Sequence, residues 1–173
     1  MRILFLDLAR QCGWAYGSST AKPKSWSAPL GSPGELIGLQ CGELAKQLVA
    51  LKRDHGVPDL VGIEHHLAPK AQPSQNIIIS SLMLRGTVHA VMGGVYGCRI
   101  VEPHAAQIRA AVCGRANAGE RSETKLMVLT TMKLLGFLPK ESTDDDRADA
   151  LCGWAFVAST FGREWPGGEF ALR

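Results

Sequence analysis

Two apolar runs, ILFLDL at 3–8 and CGWAYG at 12–17, stand at the start of this chain with only three residues between them. Parallel neighbours need a crossover of a dozen residues or more, so two strands this close in sequence are expected to pair antiparallel as a hairpin. A third strand, KSWSA at 24–28, follows the loose SSTAKPK. The tetrapeptide SPGE at 32–35 has the form of a capping box, with Pro33 suited to a first helical position. Leu36, Leu39, Leu44, Leu48 and Leu51 then recur near helical spacing, which predicts an amphipathic helix over 33–54.

From there strands alternate with helices. DLVGIE at 59–64 is a short apolar run between breakers, typical of a buried parallel strand. Residues 74–95 read as a helix, CRIVE at 98–102 as a strand, and Pro103 as the opening of a helix to about Val112. The Gly-containing CGRANAGERS is expected as a loop, 122–136 as a helix stopped at Gly136, and 144–161 as the last helix. Three strands in a meander followed by alternation imply one α/β domain over 1–173 with a mixed sheet. A chain of 173 residues suffices for one well-cored domain and is short for two.

Charge is segregated along the chain. Between His65 and Lys125 seven Lys/Arg (Lys70, Arg85, Arg99, Arg109, Arg115, Arg121, Lys125) face three acids, Glu102, Glu120 and Glu123. Such a basic middle suits a polyanionic partner, although scattered solvated charges account for it equally well. The five cysteines are widely spaced with no C-x-x-C, so they read as small buried hydrophobes and not as a disulfide framework or zinc knuckle. His65 and His66, adjacent on a strand, point to opposite faces and make a poor zinc pair. Asp7 interrupts the N-terminal apolar run after four residues, so no signal peptide is expected, and no later stretch reads as long enough to cross a bilayer. The expectation is a cytoplasmic protein without a membrane anchor.

Five acids fall within nine residues at 141–149. Thr143 is expected to cap the last helix, with Asp144, Asp145 and Asp146 in its first turn, where the helix dipole favours negative charge. Asp149 has no such explanation. It lies one turn further on among Ala148, Ala150 and Cys152, where a lone carboxylate is costly to desolvate. Asp146 and Asp149 share a helix face, while Arg147 between them points elsewhere. Two carboxylates so placed repel unless a cation lies between them. Asp7 ends the first strand, and Glu64 ends the strand at 59–64, at the carboxyl edge where open α/β sheets place their sites. Singly, each reads as a polar strand end. Together the four would make an all-oxygen set suited to magnesium or manganese.

In this order these residues resemble the RuvC-like Holliday junction resolvases of the ribonuclease H-like nuclease superfamily. LFLDLARQCGWAYG (4–17) is similar to the family's first motif, a strand Asp followed by a Gly-aromatic strand, and VGIEHHL (61–67) to its strand Glu motif. SSLMLRGTVHAV (80–91) resembles the core helix, and EPHAAQIRAAVCG with the later SETKLMV resembles the P-x-x-I-(K/R)…K stretch. DDRADALCGWAFVA (145–158) resembles the closing acidic helix. The short first turn places the chain nearer compact or phage-type members. It departs from the pattern at Leu8-Ala9, at Glu123, and at Leu67, where relatives often carry an aromatic that stacks on an opened base.

The resemblance implies an α/β, ribonuclease H-like mixed five-stranded sheet with helices on both faces. It implies a magnesium-dependent, structure-selective endonuclease that resolves four-way junctions of branched DNA by paired nicks, encoded by a bacterium or phage. Two Mg2+ ions, with Mn2+ as a substitute, would be held by Asp7, Glu64, Asp146 and Asp149, with Lys125 neutralising phosphate charge. His65, Lys70, Arg85, Arg109, Arg115, Arg121 and Lys125 are the candidate DNA contacts. A homodimer is expected through helix 74–95, because Ile77, Ile78, Ile79, Leu82, Met83 and Leu84 wrap around more of it than one core face requires. A general flap nuclease, a ribonuclease H and a non-catalytic DNA-binding scaffold remain the alternatives.

Overall fold

The structure, a computed structural model, describes residues 1–65 and 75–162; Lys70, with His66 and Leu67, and the tail from 163 on, with Trp165, lie outside the described residues. Strands β1 (Arg2–Asp7), β2 (Gln11–Ser18) and β3 (Lys24–Pro29) form the expected antiparallel meander, with Asp7 opposite Gly13 and Trp14 opposite Trp26. β4 (Leu60–Ile63) adds parallel to the other side of β1, and β5 (Arg99–Val101) adds parallel to β4. The sheet order is β3-β2-β1-β4-β5, a mixed five-stranded sheet as the sequence predicts.

The period-two alternation of β1 and β4 decides which helices cover which face. Ile3, Phe5 and Leu60 point into a core shared with α3 (Ala105–Cys113), α4 (Arg121–Leu134) and α5 (Asp145–Phe161). Leu4, Leu6, Val61 and Ile63 point the other way, onto Leu44 and Leu48 of α1 (Ile37–His55) and Leu84 and Val88 of α2 (Gln75–Val88). Helices therefore lie on both faces. Continuing the alternation, Asp7 and Glu64 both face α5.

α5 is the most deeply seated helix, with Ala148, Leu151, Cys152, Trp154, Ala155 and Val157 all buried. It comes close because glycines leave room. A Cβ at Gly153 would stand 2.1 Å from the Phe5 ring and one at Gly62 2.4 Å from it, so the ring fills a slot between sheet and helix. At Gly13 a Cβ would stand 2.0 Å from the carbonyl oxygen of Asp146, so β2 lies directly against the first turn of α5. That contact sets Asp146 next to Asp7, the residue paired with Gly13.

Several local expectations are corrected. The SPGE stretch does not open α1: Glu35 N donates to Ser32 O and Gly34 takes φ +81°, a β-turn that no helix start accommodates. Glu35 still bonds Ser32 N at 2.7 Å, but the helix begins only at Ile37. Pro103 is not helical either; its carbonyl accepts from His65 N at 2.8 Å and so prolongs the parallel pairing of β4 and β5. Asp144, and not Thr143, caps α5, its Oδ1 accepting from Arg147 N at 2.9 Å. The helix over 74–95 changes character after Val88, running π-helical from His89 to Val95. That continuous 21-residue helix, Gln75–Val95, is long and apolar enough by length and composition to cross a membrane, contrary to expectation. In this fold Leu84, Val88 and Met92 bury its inner side in the core.

The glycine contacts make opposite predictions at two positions. Gly13→Ala forces the first turn of α5 off the sheet and should cost about 1–3 kcal/mol, the range for overpacking. Gly42→Ala, on an exposed turn of α1 with nothing within 4 Å of the new Cβ, should add roughly 0.5–1 kcal/mol. Thermal unfolding of both variants against the parent reads the difference directly.

Candidate active site

β1 and β4 run parallel with Leu6 beside Ile63, so the next residues, Asp7 and Glu64, leave the sheet in step. Neighbouring strands lie ~4.8 Å apart, which makes these two carboxyl groups close neighbours at the carboxyl edge. α5 crosses above them and brings Asp146 and Asp149 down onto the same place. All four acids line one cleft of about 490 Å³, together with Arg109, Asn117, Gly119, Arg121, Thr124 and Lys125. A smaller cavity of about 240 Å³ joins on the α2 side, where Asp7 and Glu64 meet Leu8, His65, Ser81, Arg85 and Ala105.

Burial raises every one of these carboxyls, and like charge adds to it at Asp7, Asp146 and Asp149. The Asp7 carboxyl is pushed well above its ordinary 3.8, first by burial and then by Asp149, Glu64 and Asp146, with Lys125 opposing. Asp149 rises to about 6, through burial and then Glu64, against Lys125 and Arg109. Glu64 is raised by burial, and Arg109 partly offsets it. Asp146 is raised by burial and by its neighbour Asp145.

Lys125 of α4 enters this cluster from one side. Its ammonium pairs with Asp145, which raises the lysine and lowers the aspartate. Asp145, expected only as a helix-start acid, thus ties α4 to α5 and holds the cation beside the four cleft acids. Arg147 does point away, its Nε donating to Ser25 Oγ at 2.8 Å.

The candidate DNA contacts separate by position. Arg109 and Arg121 line the cleft with Lys125. Arg109 is held there by its Nε donating to Ala116 O at 2.8 Å. Arg115 does not line this cleft; its Nε reaches Met127 Sδ at 3.2 Å. His65 and Arg85 gather on Glu102 of the β5 end, a residue that sequence reasoning passed over. Glu102 pairs with the Arg85 guanidinium, accepts at 2.6 Å from His89 Nε2 and stands 3.3 Å from His65 Nδ1. Nothing in the sequence spacing marks Glu102, because its three partners come from the residue two past β4, from the end of α2 and from the start of the π-helical segment.

Four carboxylates without a nitrogen or sulfur donor suit a hard divalent cation. Among the described residues no three acid, histidine or cysteine side chains are already gathered at metal-holding distance. The acids surround the cleft, as mutual repulsion favours. Their raised carboxyls fit the donor set all the same, because a cation among them would favour the charged forms that burial and mutual repulsion disfavour.

No protein-family model matches the sequence, and no curated protein matches it. Solved structures do. The chain superimposes on Thermus thermophilus RuvC with a TM-score of 0.66 at 21% identity, over 95% of this chain and 96% of that one. T. thermophilus RuvC in complex with a Holliday junction substrate gives a TM-score of 0.69 at 17% identity, over the same 95% and 96%. The yeast mitochondrial Holliday junction resolvase Ydc2 gives 0.57 at 12% identity, over 91% of this chain and 79% of that one. The fold is that of these resolvases, the ribonuclease H-like architecture.

A raised carboxyl takes up protons in the folded protein before it does in the unfolded chain. For Asp149 the resulting stability is fully present below 3.8 and lost as pH rises through about 6. In chelator, Asp149→Asn should therefore be more stable than the parent at pH 7.5, by on the order of 2 kcal/mol. The advantage should shrink toward pH 4. Denaturant unfolding of both proteins across this range, in EDTA, measures it.

Proposed function

We propose that the chain, as one nuclease domain over 1–173, is a magnesium-dependent endonuclease that resolves four-way DNA junctions as a homodimer. One observation carries the reading. Two strand-end acids and two acids of α5 line a single cleft with Lys125, in a fold shared with Holliday junction resolvases. Asp7, Glu64, Asp146 and Asp149 would hold two Mg2+ ions, or Mn2+ in their place, and bound metal supplies Lewis-acid stabilisation of the attacking and leaving oxygens of an in-line displacement.

The rest of the chemistry belongs to the chain. Lys125, anchored by Asp145, presents fixed positive charge toward the scissile phosphate without reorganising. Arg109 and Arg121 flank the cleft and would bind neighbouring phosphates, so affinity should fall steeply with salt. Arg109 also tempers the Glu64 carboxyl, keeping it available in its charged form. The small residues of α5 and Gly13 keep the acids registered against the sheet, which fixes where the phosphate can sit.

The exposed apolar side of α2 supports a dimer. Ile77 is 59% exposed, Leu82 54%, and Ile79 and Met83 42% each, while Leu84 and Val88 bury the inner side. A second copy covering this face would supply two clefts related by two-fold symmetry, which paired nicks on opposed strands require.

Incubation with labelled four-way junction, flap, duplex and RNA–DNA hybrid, with and without magnesium, tests the reading. Paired nicks in the junction, dependent on metal and reduced at least a hundredfold by Asp7→Asn, are expected. Preferential cutting of flap or hybrid would assign the site to a different nuclease, and binding without any cutting would leave a scaffold. Light scattering should give a dimer mass for the parent and a monomer mass for Met83→Glu, with junction resolution lost in the monomer.

A further inference from the structure

Cys113 is the last residue of α3, and Cys152 sits in the middle of α5; their Sγ atoms stand 3.9 Å apart. Neither belongs to the set of acids and cations in the cleft. A disulfide requires an S–S distance of about 2.05 Å, so closing the pair calls for a shift of roughly 2 Å. The two cysteines differ in their freedom to make it. Cys152 is fully buried on a helix clamped against β1 and β2. Cys113 is half-buried, and the next residue is Gly114 at φ +79°, where α3 ends and the chain turns into a loop.

We infer that Cys113 and Cys152 form a reversible disulfide, an oxidative modification site placed between the cleft-lining loop and the acidic helix.

The chemistry divides between the two sulfurs. The Cys113 thiol is lowered to about 7, chiefly by the adjacent Cys152 thiol, with Thr131 and Arg109 adding to it, so a thiolate is available at neutral pH. Cys152 is pushed well above its ordinary 9.0 by Cys113 and by burial and stays a thiol. With hydrogen peroxide as oxidant, the Cys113 thiolate attacks one peroxide oxygen and the O–O bond breaks. Cys113 becomes a sulfenic acid and hydroxide leaves. The Cys152 sulfur then attacks the Cys113 sulfur, the S–O bond breaks, and the Cys152 proton departs with the oxygen as water. In sum, two thiols and one peroxide give one disulfide and two waters. A small dithiol reverses the change by exchange.

The position of the pair gives the bond a consequence. Arg109 lies one turn before Cys113 on the same face of α3 and lines the cleft. The loop after Gly114 carries Asn117 and Gly119 into the same cleft and leads to Arg121 and Lys125. Because Cys152 is held by the sheet, bond formation draws the end of α3 toward α5, and Arg109 and the loop move with it. The effect on cleavage rests on the proposed nuclease reading; formation of the bond does not.

The test uses the full chain, oxidised with equimolar hydrogen peroxide and then quenched. Thiol counting in denaturant should show loss of two of the five thiols. Peptide mass spectrometry without reductant should find Cys113 joined to Cys152. Junction cleavage should fall about tenfold and return with dithiothreitol, while Cys113→Ser keeps its activity through the same treatment. Cys152→Ser should leave Cys113 trapped as sulfenic acid, readable by a dimedone label even if that variant is less stable. Five intact thiols, a crosslink between other cysteines, or Cys113 sulfinic acid without a crosslink would each overturn the disulfide. A Cys113–Cys152 bond that forms while cleavage of the junction is unchanged would overturn its coupling to the cleft. A reduced parent that cleaves no junction, while the crosslink still forms on oxidation, would instead count against the nuclease reading alone.

Discussion

Four carboxyl groups are driven into one cleft by forces that have nothing to do with their charge. Phe5 locks into the slot left by Gly62 and Gly153, and Gly13 receives the carbonyl of Asp146. Around these contacts the apolar stripe of α5 packs on β1 and β2. Burial of that stripe, at about 25 cal/mol per Å2 of apolar surface, works against the repulsion it imposes. The hydrophobic core thus holds Asp146 and Asp149 against Asp7 and Glu64, and burial first, then mutual repulsion, raises the Asp7 and Asp149 carboxyls.

The surroundings relieve the conflict only in part. Lys125 reaches the cluster but is held by Asp145, and Arg109 is shared between Glu64 and Asp149. On the far side of Asp7 and Glu64, Glu102 takes up Arg85, His65 and His89, so those bases offset a different acid. A site arranged in this way keeps negative charge in surplus at its centre and positive charge at its rim. Bound divalent cation and a phosphate strand match that distribution.

Much of the site can be read from local rules. Period two puts Asp7 and Glu64 on the same face of parallel neighbours, and a three-residue step puts Asp146 and Asp149 on one helix face. The presence of Asp149 within an alanine-rich buried stripe is the clearest sign, because burial alone offers no reason for it. Local rules failed where one interaction replaced another of the same form. Ser32 and Glu35 do bond each other, yet around a Pro-Gly turn that delays the helix to Ile37. Asp144 displaced Thr143 as cap because its side chain also receives Ser27 Oγ of β3 at 2.7 Å. Gly13, Glu102 and the Asp145–Lys125 pair were invisible for a different reason. Each depends on a partner distant in the chain, and no periodicity within one element carries that information.

The central claim is that a divalent cation is the missing partner of these four acids. Calorimetric titration of the metal-free protein with Mn2+ at pH 6, repeated in buffers of different ionisation enthalpy, tests it most directly. Saturable binding should release protons, since Asp149 alone is about half protonated there. Asp7→Asn should abolish both the binding and the release. Metal binding without proton release, or binding that survives Asp7→Asn unchanged, would contradict the account.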